Sequence, residues 1–434
     1  MDAALVCGLI MLVLIVTLLV IGTPISISIG FASTVAMLAI LPVGKAVLMA
    51  SQKMFAGTNS FSLLAIPFFI LAGIIMNNGG IARKLVNCAQ LFAGRLPGSM
   101  AQTNIVANML FGAISGSGAA AAAAIGGIMG PLEEEEGYAK SYYAAVNVAS
   151  APTGMMIPPS NTLIVYSTVA GTVSISALFM AGYIPGILWG LGNMVVAGII
   201  ATKLGYKGKT KIPFKQGLKV FLDAIPSLLL IVIVIGGILN GIFTPTEGSA
   251  IAVVYSAVLS MCYRSIKVKD IPRILLEAAN MTSIIIFMIG ISTIMSYVMA
   301  YTGIPTIIAD ALLGITSNKY LILMIMNVFL LILGTFMDPT PAILIFTPIF
   351  LPIVQSFGMS PIHFGLMMTF NLCIGAITPP VGTVLFTGCR VANTNIETVI
   401  KTLLPFFAVT IIVLLLVTYI PAISLTIPAW FGLI

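Results

Sequence analysis

Apolar residues run through this chain in long continuous stretches that are separated by Pro, Gly or charged residues. Ten stretches have the length of a bilayer-crossing helix: 3–21, 25–42, 60–77, 139–170, 177–202, 222–242, 247–263, 277–300, 361–390 and 397–421. A transmembrane helix needs about 20 predominantly apolar residues, whereas a membrane β-barrel shows segments of about ten residues with alternating hydrophobicity. The pattern therefore predicts an all-α polytopic membrane protein.

Two further apolar stretches, 100–131 and 320–356, carry a polar break at their centres. The first is interrupted by Ser115-Gly116-Ser117-Gly118 and the second by Asp338-Pro339-Thr340-Pro341. The halves on either side, of about 15 residues, are too short to cross a bilayer. Irregular backbone is tolerated at membrane depth only where it faces protein or water. Each stretch therefore predicts a re-entrant hairpin whose tip stops near the membrane midplane.

The second half of the chain repeats landmarks of the first at a spacing of 221 residues. An octet around Pro158-Pro159 aligns without a gap on the octet around Pro379-Pro380, and Thr23-Pro24 aligns on Thr244-Pro245. An odd number of spans per copy inverts the second copy in the membrane, as is typical of secondary transporters. The predicted copies are residues 1–221, with hairpin 100–131 and broken helix 139–170, and residues 222–434, with hairpin 320–356 and broken helix 361–390.

Loop charges orient the predicted spans. The loop 203–219 carries six lysines, and the segments 83–95 and 264–273 are also basic. Because basic loops remain in the cytoplasm, all three segments are expected there, and the link 171–176 and both termini are expected in the periplasm. Lys45 and Lys53 are exceptions to this rule, on a short amphipathic connector.

Composition agrees with membrane insertion and narrows the range of partners. Hydrophobic residues make up 59% and charged residues 7% of the chain, against about 45–50% and about 25% in soluble domains. The net charge of +7 is explained by orientation of the loops, so no nucleic-acid partner is predicted. The five cysteines lack metal-ligand spacing and are expected to be small buried hydrophobic side chains.

The two tips and the two Pro-Pro breaks are the candidate binding site. Proline lacks an N–H, so a Pro-Pro pair inside a span leaves carbonyls of the preceding turn unbonded. Such carbonyls must face protein, water or an ion at membrane depth, while helix N-termini at the tips suit an anion. We therefore predict cation sites with an anion site between them. The candidate cation ligands are Ser115, Gly116, Ser117, Gly118, Pro158, Ser160, Asp338, Thr378, Pro379 and Gly382.

Each of these features also has a purely structural interpretation. The Gly, Ala and Ser residues of 112–127 can form a close helix-packing surface, a Pro-Pro pair can be a kink, and Asp338 before Pro339 can cap a helix. For Asp338 we expect both a capping and a ligand role. Glu247, in Thr244-Pro245-Thr246-Glu247, is interpreted as part of a capping box.

Other charged and potentially catalytic residues are interpreted as structural. The run Glu133 to Glu136 is expected to be a solvated helix start, and Arg390 a cytoplasmic-side anchor rather than a substrate clamp. Lys209 stands in a Gly-Lys-Thr triplet, but the glycine that a phosphate-binding loop needs five positions earlier is absent. His363 opens a span at its outer edge, away from the buried serines. No enzymatic activity is predicted.

Taken together, the hairpin tips and broken helices resemble the large membrane subunit of tripartite ATP-independent periplasmic (TRAP) transporters over nearly the whole chain. The resemblance implies a sodium-driven, elevator-type importer of organic acid anions in a bacterial inner membrane, with Na⁺ as the coupling ion. It also implies a small four-helix membrane subunit and a periplasmic substrate-binding protein, both expected as separate polypeptides. The implied substrate contacts are Ser115, Ser160, Asn161, Asp338 and Thr340.

The resemblance leaves the carboxylate substrate open between two branches of the family. Asn161 and the Asp338-Pro339-Thr340-Pro341 tip are more similar to the sialic-acid branch than to the C4-dicarboxylate branch. Two other functions remain as alternatives. One is a stand-alone sodium/anion symporter with similar hairpins, which would need no soluble protein. The other is a channel or structural membrane subunit, which would lack sodium dependence.

Overall fold

The computed structural model describes residues 3–171, 173–206, 208, 214–316, 318–379 and 382–434. These residues form α-helices joined by turns and two 3₁₀ segments, with no β-strand among them. The helices of the first half are α1 (Ala3–Val20), α2 (Ile25–Leu38), α3 (Val43–Thr58), α4 (Ala65–Asn78), α5 (Ile81–Ala93), α6 (Ser99–Ser115), α7 (Gly118–Glu135), α8 (Lys140–Ser150), α9 (Thr153–Met156), α10 (Asn161–Ala170) and α11 (Ile175–Leu204).

Ten further helices follow in the second half. They are α12 (Phe214–Leu239), α13 (Pro245–Cys262), α14 (Ile271–Thr302), α15 (Ile304–Ile315), α16 (Lys319–Gly334), α17 (Pro339–Ser356), α18 (Pro361–Gly375), α19 (Thr383–Val391), α20 (Ile396–Tyr419) and α21 (Pro421–Trp430). The predicted lysine-rich loop is described only in part, since Lys207, Lys209 and Lys211 lie outside the described residues.

Six helical segments in the described part of the chain are long and apolar enough to cross a membrane: Phe61–Asn78, Ile175–Leu204, Lys215–Leu239, Val268–Thr302, Pro339–Ser356 and Ile396–Tyr419. Shorter apolar helices cover Ala4–Val20, Ile25–Leu38, Lys319–Gly334 and Pro361–Gly375. Large apolar side chains such as Leu9, Val232 and Ile412 are exposed on the outer surface, as expected for helices surrounded by lipid chains. The predicted all-helical architecture with many apolar helices is confirmed.

The first hairpin consists of α6 and α7. Helix α6 ends at Ser115 because Gly116 adopts a left-handed conformation, with φ of 61°, which favours glycine. The Ser117 hydroxyl then caps α7 by accepting a hydrogen bond from the Ala120 amide at 3.3 Å. The turn therefore lies at the polar break that the sequence indicated.

The second hairpin consists of α16 and α17, with its break at Asp338. Phe329 on α16 packs edge-to-face on Phe346 and Phe350 of α17, with ring centroids 5.6 and 5.5 Å apart. These aromatic contacts hold the two arms side by side. Pro339 opens α17, where its missing N–H leaves no helical hydrogen bond unmade.

Both Pro-Pro segments interrupt a helix. In the first half the chain becomes extended at Ile157 and resumes as α10, whose first turn is capped by the Ser160 hydroxyl at 3.4 Å from the Leu163 amide. In the second half α18 ends at Gly375 and α19 begins at Thr383. Pro380 and Val381 of this break lie outside the described residues.

Corresponding elements of the two halves begin 220 to 222 residues apart, from the first hairpin arm to the helix after the break. Each half also brings two glycines together where the hairpin crosses its broken helix. A Cβ on Gly112 would lie 2.7 Å from the Gly154 Cα, and one on Gly334 would lie 3.0 Å from the Gly375 Cα. The assignment of two inverted copies stays a prediction.

Several helices were not predicted from the sequence. The connector α3 is a helix of 16 residues, α5 and α15 each precede a hairpin, and α21 follows the last span. The halves also differ in one place. Helix α14 is continuous over 32 residues, whereas α3 and α4 are separate helices divided by the 3₁₀ turn Phe61–Leu64.

The expectation of a solvated helix start at Glu133 to Glu136 is wrong. This run ends α7 rather than starting a helix, and Glu133 is fully buried. The Asn104 amide donates to the Glu133 carboxyl oxygens at 3.2 and 3.4 Å. Glu134 is a surface residue, paired with Lys140 at 3.2 Å. Four consecutive acidic residues in a sequence usually indicate exposure to solvent, but Glu133 lies on the side of α7 that packs against α6.

Two other interpretations can be compared with the structure. The capping box is confirmed, since the Thr244 amide donates to Glu247 at 2.8 Å and the Glu247 amide donates to the Thr244 hydroxyl at 3.2 Å. The cysteines are buried as expected except Cys262, which is exposed at the end of α13. For Cys262 the expectation is wrong because a helix end lacks covering neighbours.

Candidate functional site

A cavity of about 330 Å³ lies where both hairpin tips and both broken helices meet. The first half supplies Ser115, Gly116, Ser117, Gly118, Ala119, Ala120, Met155, Asn161 and Thr162, and the second half supplies Asp338, Pro339, Thr340, Pro341, Ala376, Thr383 and Val384. Helices α4 and α14 close the cavity with Ile70, Ile74, Met281, Ile284, Ile285 and Met288, here called the apolar wall. The four polar places indicated by the sequence thus share one cavity.

The polar side chains of the first half form the neutral wall: Ser115, Ser117, Asn161 and Thr162. Gly116 lets the tip approach the broken helix closely, because a Cβ there would lie 3.0 Å from the Asn161 Nδ2 and 3.1 Å from its amide nitrogen. The Asn161 side-chain oxygen is buried and has no hydrogen-bond partner among the residues that the structure describes. An unpaired buried oxygen is costly unless a ligand or ion satisfies it.

The polar side chains of the second half form the acidic wall: Asp338, Thr340 and Thr383. Asp338 occupies the cap position of α17, but its side chain makes no capping hydrogen bond. It accepts instead from the Thr383 hydroxyl at 2.7 Å. The expected capping role of this side chain is therefore wrong, and Asp338 joins the hairpin tip to the first residue of α19.

Ser160 lies behind the neutral wall rather than in it. Its hydroxyl donates to the Met155 carbonyl and lies 2.8 Å from the Thr162 hydroxyl, and the side chain is fully buried. Pro158 is likewise buried in the break and does not line the cavity. Among the predicted substrate contacts, the structure thus brings four to the cavity and leaves Ser160 as a supporting residue: Ser115, Asn161, Asp338 and Thr340 line it.

The predicted cation ligands of the second break also lie behind the cavity surface, since Thr378, Pro379 and Gly382 are not among its lining residues. The backbone is tightly folded here. A Cβ on Gly382 would lie 2.8 Å from the Thr378 carbonyl oxygen and 3.1 Å from that of Ala376. Carbonyl oxygens therefore cluster next to the acidic wall.

Thr162 and Thr383 line the cavity but were missed in the sequence. A threonine in the first turn after a break is common at helix starts, so neither Thr162 nor Thr383 is by itself a signal of a binding site. The two residues are 221 apart, however, so the repeat spacing could have found them. The apolar wall carried no comparable signal, because its isoleucines and methionines resemble those of every other span.

Four helices begin in this cavity, since Gly118, Asn161, Pro339 and Thr383 each line it and open α7, α10, α17 and α19. Helix N-termini carry partial positive charge and attract anions. Asp338 is the one charged side chain among the described lining residues, and no Lys, Arg or His is among them. An anion here would therefore be held by helix N-termini, hydroxyl groups and any bound cation.

Transition-metal sites are not found in the described part of the chain, where no three His, Cys, Asp or Glu side chains converge. Oxygen atoms of carbonyl, hydroxyl and carboxylate groups surround the cavity instead. Such hard ligands suit alkali and alkaline-earth ions. Arg390 is exposed in the last turn of α19 and does not line the cavity.

Comparison with known proteins identifies the family. Residues 12–423 match the family model described as the tripartite ATP-independent periplasmic transporter, DctM component. The chain belongs to this family. It is therefore a large TRAP transporter membrane subunit, a multi-pass protein of the inner membrane. Such subunits function with a small membrane subunit and a periplasmic binding protein.

Curated relatives cover most of the chain. It is 53% identical over 415 residues to the uncharacterized protein YgiK of Salmonella typhimurium, covering 96% of this chain and 95% of that protein. It is 42% identical to the isethionate TRAP transporter permease protein DctMQ of Oleidesulfovibrio alaskensis, covering 94% of this chain and 64% of that protein. It is 35% identical to the sialic acid TRAP transporter large permease protein SiaM of Vibrio cholerae, covering 95% and 96%.

A solved structure shares the fold. The YdaH transporter of Alcanivorax borkumensis superposes with a TM-score of 0.54 at 14% identity, covering 90% of this chain and 89% of that protein. Among the curated relatives, DctMQ and SiaM are named as transporter permeases.

Proposed function

We propose that this chain is the sodium-coupled transport subunit of a TRAP system that imports an organic acid anion. The observation that carries the proposal is the single cavity joining both tips and both breaks, with Asp338 as its charged side chain. Half-helix N-termini at such breaks suit an anionic substrate, and unwound carbonyls suit sodium.

Each half contributes one tip and one break, so we assign one cation site to each pair. In the first half the unpaired Asn161 oxygen and the tip around Gly116 are the ligand sources. In the second half Asp338 and the carbonyls near Gly382 serve the same purpose. Sodium bound at these sites would offset the negative charge of Asp338 and the partial negative charge at the ends of the preceding helices. An anionic substrate would then bind more favourably.

An elevator movement would carry the site across the membrane. The moving domain would comprise the two hairpins with the broken helices, because these elements surround the polar cavity together. The scaffold would comprise α1, α2, α12 and α13. Helices α4 and α14, which carry the apolar wall, pack against α13 and α2 of this scaffold. The wall presents only isoleucine and methionine side chains to the polar site, so the moving domain would break no strong hydrogen bonds with it when it slides.

Relatives named for C4-dicarboxylate, sialic acid and isethionate support an organic acid anion as the substrate class. The resemblance of the Asp338 tip favours the sialic-acid branch over the C4-dicarboxylate branch. A periplasmic binding protein would deliver the substrate, and a small four-helix subunit would accompany this chain in the bilayer.

Sodium dependence tests the proposal in proteoliposomes that contain this chain with its small subunit. We expect uptake to require an inward sodium gradient and the cognate binding protein. We also expect uptake to change by less than about twofold between about pH 6 and 8, where histidine is the side chain that ordinarily titrates. No histidine is among the described lining residues.

Three outcomes would contradict this proposal. Uptake driven equally well by a proton gradient in sodium-free buffer would exclude sodium coupling. Sodium-driven uptake without any binding protein would indicate a stand-alone symporter. Flux that ignores sodium altogether would indicate a channel.

The inverted topology has a matched pair of reporters. Ile21 and Ile242 are exposed in equivalent loops 221 residues apart. In a background without the five native cysteines, we expect Ile21→Cys to react with impermeant thiol reagents only from the cytoplasm and Ile242→Cys only from the periplasm, because the copies face opposite ways. Reaction of both positions from the same side would refute the inversion, and with it the periplasmic placement of both termini.

A further inference from the structure

The two polar walls of the cavity differ in charge although they occupy equivalent places in the two halves. The neutral wall holds hydroxyl and amide groups, whereas the acidic wall carries Asp338. Each wall contains the starts of two helices, so both have similar dipole contributions. The carboxylate of Asp338 therefore makes the acidic wall the more negative of the two.

We propose that the cavity selects a small organic monoanion carrying a hydroxyl group. The anionic group lies on the neutral wall and the hydroxyl group donates to Asp338. This inference rests on the proposed function, because it concerns the substrate of that same site. Beyond the proposed function, it specifies the charge of the substrate, its functional groups and its orientation in the cavity.

The neutral wall is the better place for the anionic group. Helices α7 and α10 both start here without a carboxylate nearby in the lining, so their positive ends are uncompensated. A sodium ion on the unpaired Asn161 oxygen would add positive charge to the same wall. A carboxylate or sulfonate would be stabilised there by attraction to both.

The acidic wall suits a hydroxyl group and disfavours a second anionic group. Asp338 already accepts from Thr383 at 2.7 Å, and a carboxylate can accept further hydrogen bonds. A substrate hydroxyl can therefore donate to Asp338. A second substrate carboxylate would instead face Asp338, whose charge a sodium ion at the second site would at most cancel, since no lysine or arginine is among the described lining residues. It would therefore be attracted less strongly there than the anionic group is on the neutral wall.

The carbon skeleton of the substrate would pack on the apolar wall. Six isoleucine and methionine side chains form this surface, and methionine adapts to irregular apolar shapes. A cavity of about 330 Å³ is at the lower end of the usual range for ligand pockets, about 300–1,000 Å³. The substrate is therefore small.

Three probes with the same four-carbon chain separate these requirements: 4-hydroxybutanoate, butanoate and succinate. They would be titrated into the purified complex of this chain and its small subunit at high sodium, with thermal unfolding as the readout. We expect 4-hydroxybutanoate to stabilise the complex at concentrations about tenfold lower than either of the others, because a tenfold ratio corresponds to about one hydrogen bond to a charged group.

Two pairs of variants test the assigned orientation. Ser117→Asp keeps a capping side chain on α7 but adds a charge to the neutral wall, whereas Ser117→Asn keeps the cap without a charge. We expect Ser117→Asp to weaken binding of 4-hydroxybutanoate at least about tenfold more than Ser117→Asn does, because only aspartate adds a charge next to the anionic group. Asp338→Asn should remove the discrimination against succinate, and Glu397→Gln, a change in the first turn of α20, should retain it.

The outcomes separate this inference from the proposed function. If succinate binds the wild-type complex as well as 4-hydroxybutanoate, the inference is overturned while sodium-coupled import can still be observed with another substrate. If Ser117→Asp binds normally, the orientation is wrong. If no anion stabilises the complex and no sodium-driven uptake occurs, both proposals fail. The wild-type ranking decides the substrate class even if a variant does not fold.

Discussion

Asp338→Asn is expected to reduce sodium-driven uptake below about a tenth of the wild-type rate, because it removes the charge that faces the bound cation. Asparagine keeps the shape of the side chain and an oxygen that can accept from Thr383, whose hydroxyl now lies 2.7 Å from Asp338. Folding should be preserved, since the Asp338 side chain makes no capping hydrogen bond that could be lost. Uptake normalised to the amount of inserted protein measures the effect.

Glu397→Gln is the matched control for this change. Glu397 is an exposed carboxylate near the start of a helix, like Asp338, but it lies outside the cavity lining. Its substitution should leave uptake nearly unchanged, and Ser115→Ala should be milder than Asp338→Asn because neighbouring carbonyls remain. If Asp338→Asn supports uptake at the wild-type rate, Asp338 has only a structural role. The cation sites would then have to be formed by the carbonyls of the breaks.

Gly154→Ala is expected to prevent normal folding of the first half. A Cβ at this position would overlap the backbone of Gly112 on the hairpin arm. Overpacking a core usually costs about 1–3 kcal/mol, and contact with backbone rather than a side chain leaves less room to relax. The yield of folded, monodisperse protein after detergent extraction should therefore collapse, and Gly375→Ala should do the same in the second half.

Gly127→Ala is the control for these glycine variants. Gly127 lies in helix α7 in an ordinary helical conformation. In the described part of the chain, a Cβ added there would have no atom within 4 Å apart from its chain neighbours and the backbone of its own helix. Alanine at this position should be neutral or stabilising by up to about 1 kcal/mol, as expected from helix propensity. If Gly154→Ala and Gly127→Ala gave equal yields, the close crossing of hairpin and broken helix would not be required for folding.

The hairpins and breaks were predictable because they depend on strong local signals. Ser115 to Gly118 and Asp338 to Pro341 interrupt apolar stretches, and the chain turns at both places. Proline at the breaks acts through the backbone itself, so its effect does not depend on the rest of the fold. Backbone signals of this kind therefore predict the position of the candidate cavity without reference to side-chain contacts.

Side-chain direction was not predictable in the same way. Ser160 and Thr162 are two residues apart, yet Ser160 caps α10 from behind the wall and Thr162 lines the cavity. Local sequence does not determine which side of an unwound segment faces a partner from the other half of the chain. Burial of Glu133 is a similar case, because it depends on Asn104 of the preceding helix rather than on the acidic residues beside it.

The length of α14 has a consequence for the membrane around this protein. Its apolar part, 277–300, spans about 36 Å at about 1.5 Å per residue, whereas the hydrocarbon core measures about 30 Å. A helix of such length tilts or projects to relieve hydrophobic mismatch. Met281 and Met288 of α14 face the cavity, while Gly290 packs closely on α3. We therefore expect a thinner bilayer to tilt α14 further and to shift these methionines, so that bilayer thickness would influence the shape of the binding cavity.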